Sequence, residues 1–349
     1  MKPIQRNREY TERLCINRDR TILQGIQRLN EISGQILLVV DEQGRLFGTI
    51  TDGDIRRAIA NQVPFSDSVA VICNRNFKFL HSFSVDSVLA LCEEFSIKRI
   101  PIIDEAGIPI GIAFLEDLVQ EGTPPTCGKV VIMAGGRGSR LDPITRIVPK
   151  PLLPIGEKPV IELIMDSFYG QGYDDFILSI NYKKDFIKGY FSERGDLPYR
   201  IGYVEEDVFL GTSGSLLLMK GQLSETFFVT NCDILVEMNY RSACREHLRQ
   251  KNSITVIGAL KELKIPYGVV HMKNGEFEQI EEKPDYHLVI NSGVYLLEPE
   301  CLDLIPQGEM FHMTDLIQRA QDVGMRVGVF PAHRKWVDMG QWSEYNKLI

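Results

Sequence analysis

The chain has 349 residues, 44% hydrophobic and 25% charged, and its acidic residues outnumber Lys and Arg to leave a formal charge of −8. That is the make-up of a globular protein long enough for two or three domains, each burying its own core. The acidic balance excludes nucleic acid and anionic lipid as principal partners, because both demand a basic face.

In chain order, Met1 to Asn7 lacks the apolar core of a signal peptide, and no uninterrupted apolar run reaches membrane length anywhere. A cytoplasmic location without a membrane partner is expected. The seven cysteines include no C-x-x-C pair and no Cys/His cluster, so all seven are expected to be reduced thiols.

An internal repeat follows. Asp41-Glu42, Gly44, Gly48 and Asp54 recur as Asp104-Glu105, Gly107, Gly111 and Asp117, each 63 positions on. Upstream, Thr21, Ile22, Ile26 and Leu29 align with Ser84, Val85, Leu89 and Cys92 at the same shift. Both copies, 1–65 and 66–122, predict a capped amphipathic helix, a short strand, a turn at Asp-Glu-x-Gly, a second strand and a closing helix. Each is too small to bury its faces alone, so the two should pack as one module.

The run Gly48 to Asp54 resembles the cystathionine β-synthase (CBS) signature, and the pair resembles the tandem CBS (Bateman) modules that sense adenine nucleotides. The resemblance implies that Thr51 and Asp54 hold ribose hydroxyls, with Asp117 their counterpart in the second copy. Phe114 stands there in place of the threonine, so at most one ribose pocket is complete. Thr51 and Asp54 equally suit a plain cap on a helix beginning at Ile55. The repeat is also suited to dimerisation, and a homo-oligomer is expected.

Residues 123–127 read as a stiff Pro-containing linker, and 128–349 as a larger domain. Val130 to Met133 predicts a buried strand that runs into Gly135-Gly136-Arg137-Gly138-Ser139-Arg140, with Pro149-Lys150-Pro151 beyond. Bare backbone N–H groups at Gly135, Gly136, Gly138 and Ser139, with positive charge from Arg140 and Lys150, suit a nucleoside triphosphate. The spacing matches neither the dinucleotide fingerprint nor the P-loop.

The helical stretch Val160 to Phe168 ends near Gly170, Phe176 to Ile180 makes a strand, Ser215 to Met219 looks helical, and Phe227 to Thr230 makes another strand. This alternation predicts an α/β domain whose mostly parallel sheet carries helices on both faces. Gly211, Thr212 and Gly214 form a second glycine-rich turn whose N–H groups suit a base or a sugar. Asp233 follows a strand directly and Asp338 follows another apolar run; two hard carboxylates facing phosphate oxygens suit Mg2+. Glu282 and Lys283 pair an acceptor with a cation, and Asn291 is placed at the end of a strand, Leu288 to Ile290.

From Val130 onward the ordered motifs resemble the sugar-1-phosphate nucleotidyltransferases: the Gly135 to Lys150 string, Leu210 to Gly214, Asn231-Cys232-Asp233, Glu282-Lys283-Pro284, Asn291-Ser292-Gly293 and Val337-Asp338. Cys232 departs from the glycine usual at that position. The resemblance implies a Rossmann-like domain preceded by an α+β tandem CBS module, of the kind that activates sugars for nonulosonic acid and surface-glycan pathways. It implies transfer of a nucleoside monophosphate from a triphosphate, GTP before UTP or dTTP, to a hexose 1-phosphate such as glucosamine 1-phosphate. Arg140, Lys150, Asp233 and Asp338 would be catalytic, Asp233 and Asp338 would hold Mg2+, and Glu282, Lys283 and Asn291 would hold the sugar phosphate. A nucleotide-sensing regulator without catalysis is the rival reading.

Overall fold

The computed structural model describes residues 8–32, 36–95, 97–115, 127–195 and 197–347. The chain divides into two compact units, Met1–Thr123 and Pro124–Ile349. Asp117, the closing helix expected after it, and linker residues 123–126 lie outside the described residues.

In the first unit the two copies use one turn device. Asp41 Oδ1 accepts the N–H groups of Gln43 and Arg45 at 2.9 Å, and Gly44 takes φ +78°, where a side chain would be strained. Asp104 Oδ1 accepts from Ala106 and Ile108 at 2.9 and 2.8 Å, with Gly107 at φ +82°. The turns join Ile36–Val40 to Leu46–Thr51 and Arg99–Ile103 to Pro109–Phe114, both antiparallel. Cys15–Asn17 adds a parallel strand to the first pair. Leu14, Ile36 and Leu38 share a core cluster with Ile112 and Phe114, so residues of both copies bury one another.

The helix after Leu46–Thr51 runs over Asp52–Ala60, starting ahead of the expected Ile55. Asp54 is buried and turned back on its own helix start. Its Oδ2 accepts the Thr51 N–H at 2.7 Å and the Thr51 hydroxyl at 2.6 Å, and its Oδ1 pairs with Arg57. That is the reach of an N3 carboxylate back to the cap residue.

The second unit is built on a seven-stranded sheet ordered Arg200–Glu205, Asp175–Ile180, Val130–Ala134, Phe227–Asn231, Asp285–Leu297, Ile254–Lys264, Val327–Ala332. Asp285–Leu297 pairs antiparallel with both neighbours; every other pairing is parallel. Alternation along Val130–Ala134 feeds two cores. Val130, Ile132 and Ala134 pack with Ile161, Phe168, Ile187 and Ala243, whereas Val131 and Met133 pack with Leu216, Leu302 and Leu316. Helices Val160–Tyr169, Lys184–Glu193 and Tyr240–Gln250 thus cover one face, and helix Met313–Asp322 with two 3-10 segments covers the other.

The stretch Ser215 to Met219 is helical as expected, within a 3-10 helix, Gly214–Gln222. Two expectations need correction. Asn291 lies inside a strand, because pairing with Ile254–Lys264 continues across it from Asp285 to Leu297 with one irregularity between Val256 and Gly258. Two of the seven cysteines are not thiols: Cys127 and Cys244 form a disulfide across 117 positions with Cα atoms 6.2 Å apart. Neither sits in a spacing motif, so nothing local announces the pair.

Candidate active site

Strand Val130–Ala134 delivers its carboxyl end to Gly135, where an ideal Cβ would lie 2.9 Å from Glu206 Oε1 and 3.3 Å from Asn181 Cβ. A side chain there would have to displace the Glu206 carboxylate and press on Asn181, so glycine leaves backbone lining the space above the sheet. Gly136 faces open space, and Gly138 takes φ +67° with a virtual Cβ 3.0 Å from both Lys150 Cβ and Thr145 Cγ2. The loop is thus folded onto the stem of Lys150. Arg140 is exposed on the 3-10 turn Ser139–Leu141, which Leu141 anchors in the core, and forms no ion pair among the described residues.

A cleft of about 240 Å³ opens over this edge of the sheet. It is lined by Gly135, Gly136, Gly138, Ser139 and Arg140, by Lys150, Asn231, Cys232 and Asp233, and by Glu206, Phe209, Gly211 and Thr212. Lys150 Nζ donates to Asp233 Oδ2, with side-chain exposures of only 12% and 10%. Asp338 joins them: an ideal Cβ on Gly340 would lie 2.7 Å from Asp233 Oδ2, 2.8 Å from Asp338 Oδ1 and 3.0 Å from Lys150 Nζ. Two acids and an ammonium therefore converge on one point beside a lobe of bare amides.

No group of three or more His, Cys, Asp or Glu side chains that could hold a metal occurs among the described residues. The donor set fits Mg2+ all the same, since that ion takes one or two carboxylates and completes its shell with phosphate and water. Cys232, next in chain, is buried, and burial, then the Asp233 charge, pushes its thiol up to about 12.

The second glycine-rich turn is divided. Gly211 takes φ +86° with a virtual Cβ 2.5 Å from Phe311 O, and with Thr212 it lines the cleft. The N–H groups of Ser213 and Gly214 instead donate to Phe311 O at 3.1 and 3.0 Å. Gly214 is thus a packing residue, and its expected N–H contact to a ligand is not offered.

Glu282 and Lys283 are exposed and lie outside the walls of the cleft, between strands Glu276–Glu281 and Asp285–Leu297. The Asn291 amide is engaged locally, with Nδ2 donating to Tyr295 Oη at 2.8 Å and Oδ1 accepting the Gly293 N–H at 3.0 Å. Its segment nevertheless borders the site, because a Cβ on Gly293 would lie 2.7 Å from Asn231 Nδ2.

Sequence reasoning passed over Glu206, Phe209 and Gly340. Glu206 is buried, accepts the Ser179 hydroxyl at 2.6 Å and the Leu210 N–H at 3.0 Å, and so ties strand Asp175–Ile180 to the start of the second glycine-rich turn. Its signal was an acid directly after a strand, the same cue that marked Asp233.

A family model for nucleotidyl transferases matches residues 129–349, and a CBS-domain model matches residues 8–61. The chain belongs to the nucleotidyl transferase family and carries a CBS domain ahead of it. It is 31% identical over 242 residues to a UTP–glucose-1-phosphate uridylyltransferase of Synechocystis sp., covering 63% of this chain and 62% of the relative. It is 31% identical over 229 residues to mannose-1-phosphate guanylyltransferase 1 of Arabidopsis thaliana, covering 62% of each. The chain thus matches less than two thirds of the length of these relatives. Among solved structures it is similar to HddC from Yersinia pseudotuberculosis complexed with GMP-PN, with 25% identity and a TM-score of 0.52 over 63% of this chain and 97% of that one. No helix among the described residues is long and apolar enough to cross a membrane.

Proposed function

We propose that the chain transfers a nucleoside monophosphate to a sugar 1-phosphate. A phosphate oxygen of the sugar phosphate attacks the α-phosphorus of the triphosphate in line; the new P–O bond forms as the bond to the bridging oxygen breaks, and pyrophosphate leaves. The attacking phosphate has a second pKa of about 6 and is ionised at neutral pH, so no side chain need remove a proton. What remains for the protein is positioning and charge neutralisation.

The reading rests on one observation, the convergence of Asp233, Asp338 and Lys150 beside Gly135 to Ser139. Loop N–H groups and Arg140 hold the leaving pyrophosphate, and Lys150 holds the α-phosphate. Mg2+ held by Asp233 and Asp338 would neutralise phosphate charge. Lys283, Glu282 and Asn291 are assigned to the sugar phosphate from motif order. Likeness to a guanylyltransferase and to a structure complexed with GMP-PN supports GTP as donor, with UTP and dTTP as alternatives. The acceptor is glucosamine 1-phosphate or a related hexose 1-phosphate, Glu282 suiting an amino group and a hydroxyl equally. The N-terminal repeat is assigned either to oligomerisation alone or to holding one adenine nucleotide at Thr51 and Asp54, whose side chains cap their own helix.

Mixing the purified chain and Mg2+ with each triphosphate against a panel of sugar 1-phosphates, and following pyrophosphate, tests the proposal. Release with one pair well above the others supports it and names the substrates. Silence with every pair would favour the non-catalytic regulator.

A further inference from the structure

The carboxylate that should receive a divalent cation already holds a cation of the protein's own. Lys150 Nζ is hydrogen-bonded to Asp233 Oδ2, the same oxygen that, with Asp338 Oδ1, faces the point beside Gly340. Both side chains are nearly shut off from water, so the pair is little screened.

We propose that Lys150 is a resident counter-cation that keeps the metal position closed until a triphosphate arrives, which makes divalent-ion and nucleotide binding strongly coupled. This rests on the function proposed above. A divalent ion on Asp233 Oδ2 and an ammonium on the same oxygen are like charges in contact, and each excludes the other. A polyphosphate entering the cleft, which Lys150 lines together with Gly135 to Arg140, offers it a more highly charged anion. A lysine can follow it, being a point charge on a flexible four-carbon stem.

The stem itself is restrained. A Cβ on Gly138 would meet Lys150 Cβ at 3.0 Å and Cδ at 3.4 Å, so the tip moves while the base stays against the phosphate loop. Once the tip leaves, Asp233 Oδ2 is released beside Asp338 Oδ1, which accepts the Gly340 N–H at 2.8 Å and keeps a lone pair for a cation. By linkage, the factor by which triphosphate raises metal affinity equals the factor by which metal raises triphosphate affinity.

Mn2+ alone, titrated into the full chain without nucleotide and followed by the free-ion electron paramagnetic resonance signal, is the test. Lys150→Met is expected to bind Mn2+ roughly tenfold or more tighter than the wild type. Lys150→Arg, which keeps the charge, should stay near the wild type, and Asp233→Asn placed on Lys150→Met should abolish the gain. Equal Mn2+ affinity in wild type and Lys150→Met, or a gain that survives Asp233→Asn, overturns the proposal. Should Lys150→Met lose its cooperative melt, Lys150→Gln is compared on the same criterion. Pyrophosphate release by the wild type is measured separately, so a chain with no transferase activity would still give a readable metal result.

Discussion

Asp338 stands opposite Ile234 across an antiparallel pair, Trp336–Asp338 against Ile234–Val236, and this brings its carboxylate to the neighbour of Ile234, Asp233. The Met339 N–H closes the pair by donating to Asp233 O at 2.9 Å. The two acids thus act as one unit built by strand pairing. Asp233→Asn and Asp338→Asn should each lower turnover on the order of 10³-fold, and the double variant should be hardly worse than either. Pyrophosphate release with the preferred substrate pair, alongside a thermal melt to show the fold intact, reads this out. Multiplying losses in the double variant would mean that the two acids work separately.

Gly340 sets the room between these groups. An added methyl would sit within 3.0 Å of Asp233 Oδ2, Asp338 Oδ1 and Lys150 Nζ at once. The side chains can yield, so the cost falls on geometry before stability. Gly340→Ala is expected to cost about 10²-fold in kcat, the penalty of displacing reacting groups by about an ångström. Its melting temperature should stay close to that of the wild type. Unchanged kcat would show that the convergence at Gly340 is not where reaction occurs.

Those parts of the site that are consecutive in the chain were legible in the sequence. Val130 to Met133, Gly135 to Arg140 and Asn231 to Asp233 each combine a periodic or apolar run with a local turn, and both signals are carried within a few residues. The mostly parallel sheet followed from the same alternation. What the sequence hid depends on distant partners. Asn291 was misplaced because the polar run Asn291-Ser292-Gly293 interrupts the apolar residues of the strand, which is carried across it by pairing with residues 254 to 264. Gly214 has the composition of a ligand loop, and only Phe311, nearly a hundred positions on, claims its N–H. The Cys127–Cys244 bond is the extreme case, a pairing with no local mark at all.

That disulfide makes a prediction about stability. It ties the residue ahead of the first sheet strand to helix Tyr240–Gln250, and both cysteines are buried. Closing so long a loop removes entropy from the unfolded chain, worth ~2–4 kcal/mol in typical proteins. Under oxidising conditions Cys244→Ser should lower the urea midpoint of the second unit accordingly. After full reduction of both proteins in denaturant and refolding with reductant, the gap should shrink to what the serine itself costs in the core. A gap of equal size with and without reductant would show that the bond contributes nothing.

Glu162 gives the unit an acid limit. It is buried in helix Val160–Tyr169, where Oε1 accepts the Tyr190 hydroxyl and Arg194 Nε, and Oε2 accepts Arg194 Nη2, all at 2.7 Å. Burial alone would raise its pKa, but the Arg194 guanidinium and the Tyr190 hydroxyl outweigh burial and hold it below the ordinary value. Burial and the same carboxylate push the Tyr190 phenol up to about 12. A carboxyl whose pKa is depressed by folding adds stability that is fully present above its unfolded value, near ~4.3, and is lost as pH falls through the folded value. Glu162→Gln should therefore be less stable by ~1–3 kcal/mol at neutral pH, where Tyr190 and Arg194 lose a charged acceptor. Below about pH 4.3 the wild type should converge on it. Urea midpoints of the two proteins measured from neutral pH down into this range decide the matter, and curves that run parallel throughout would remove Glu162 from the account of acid stability.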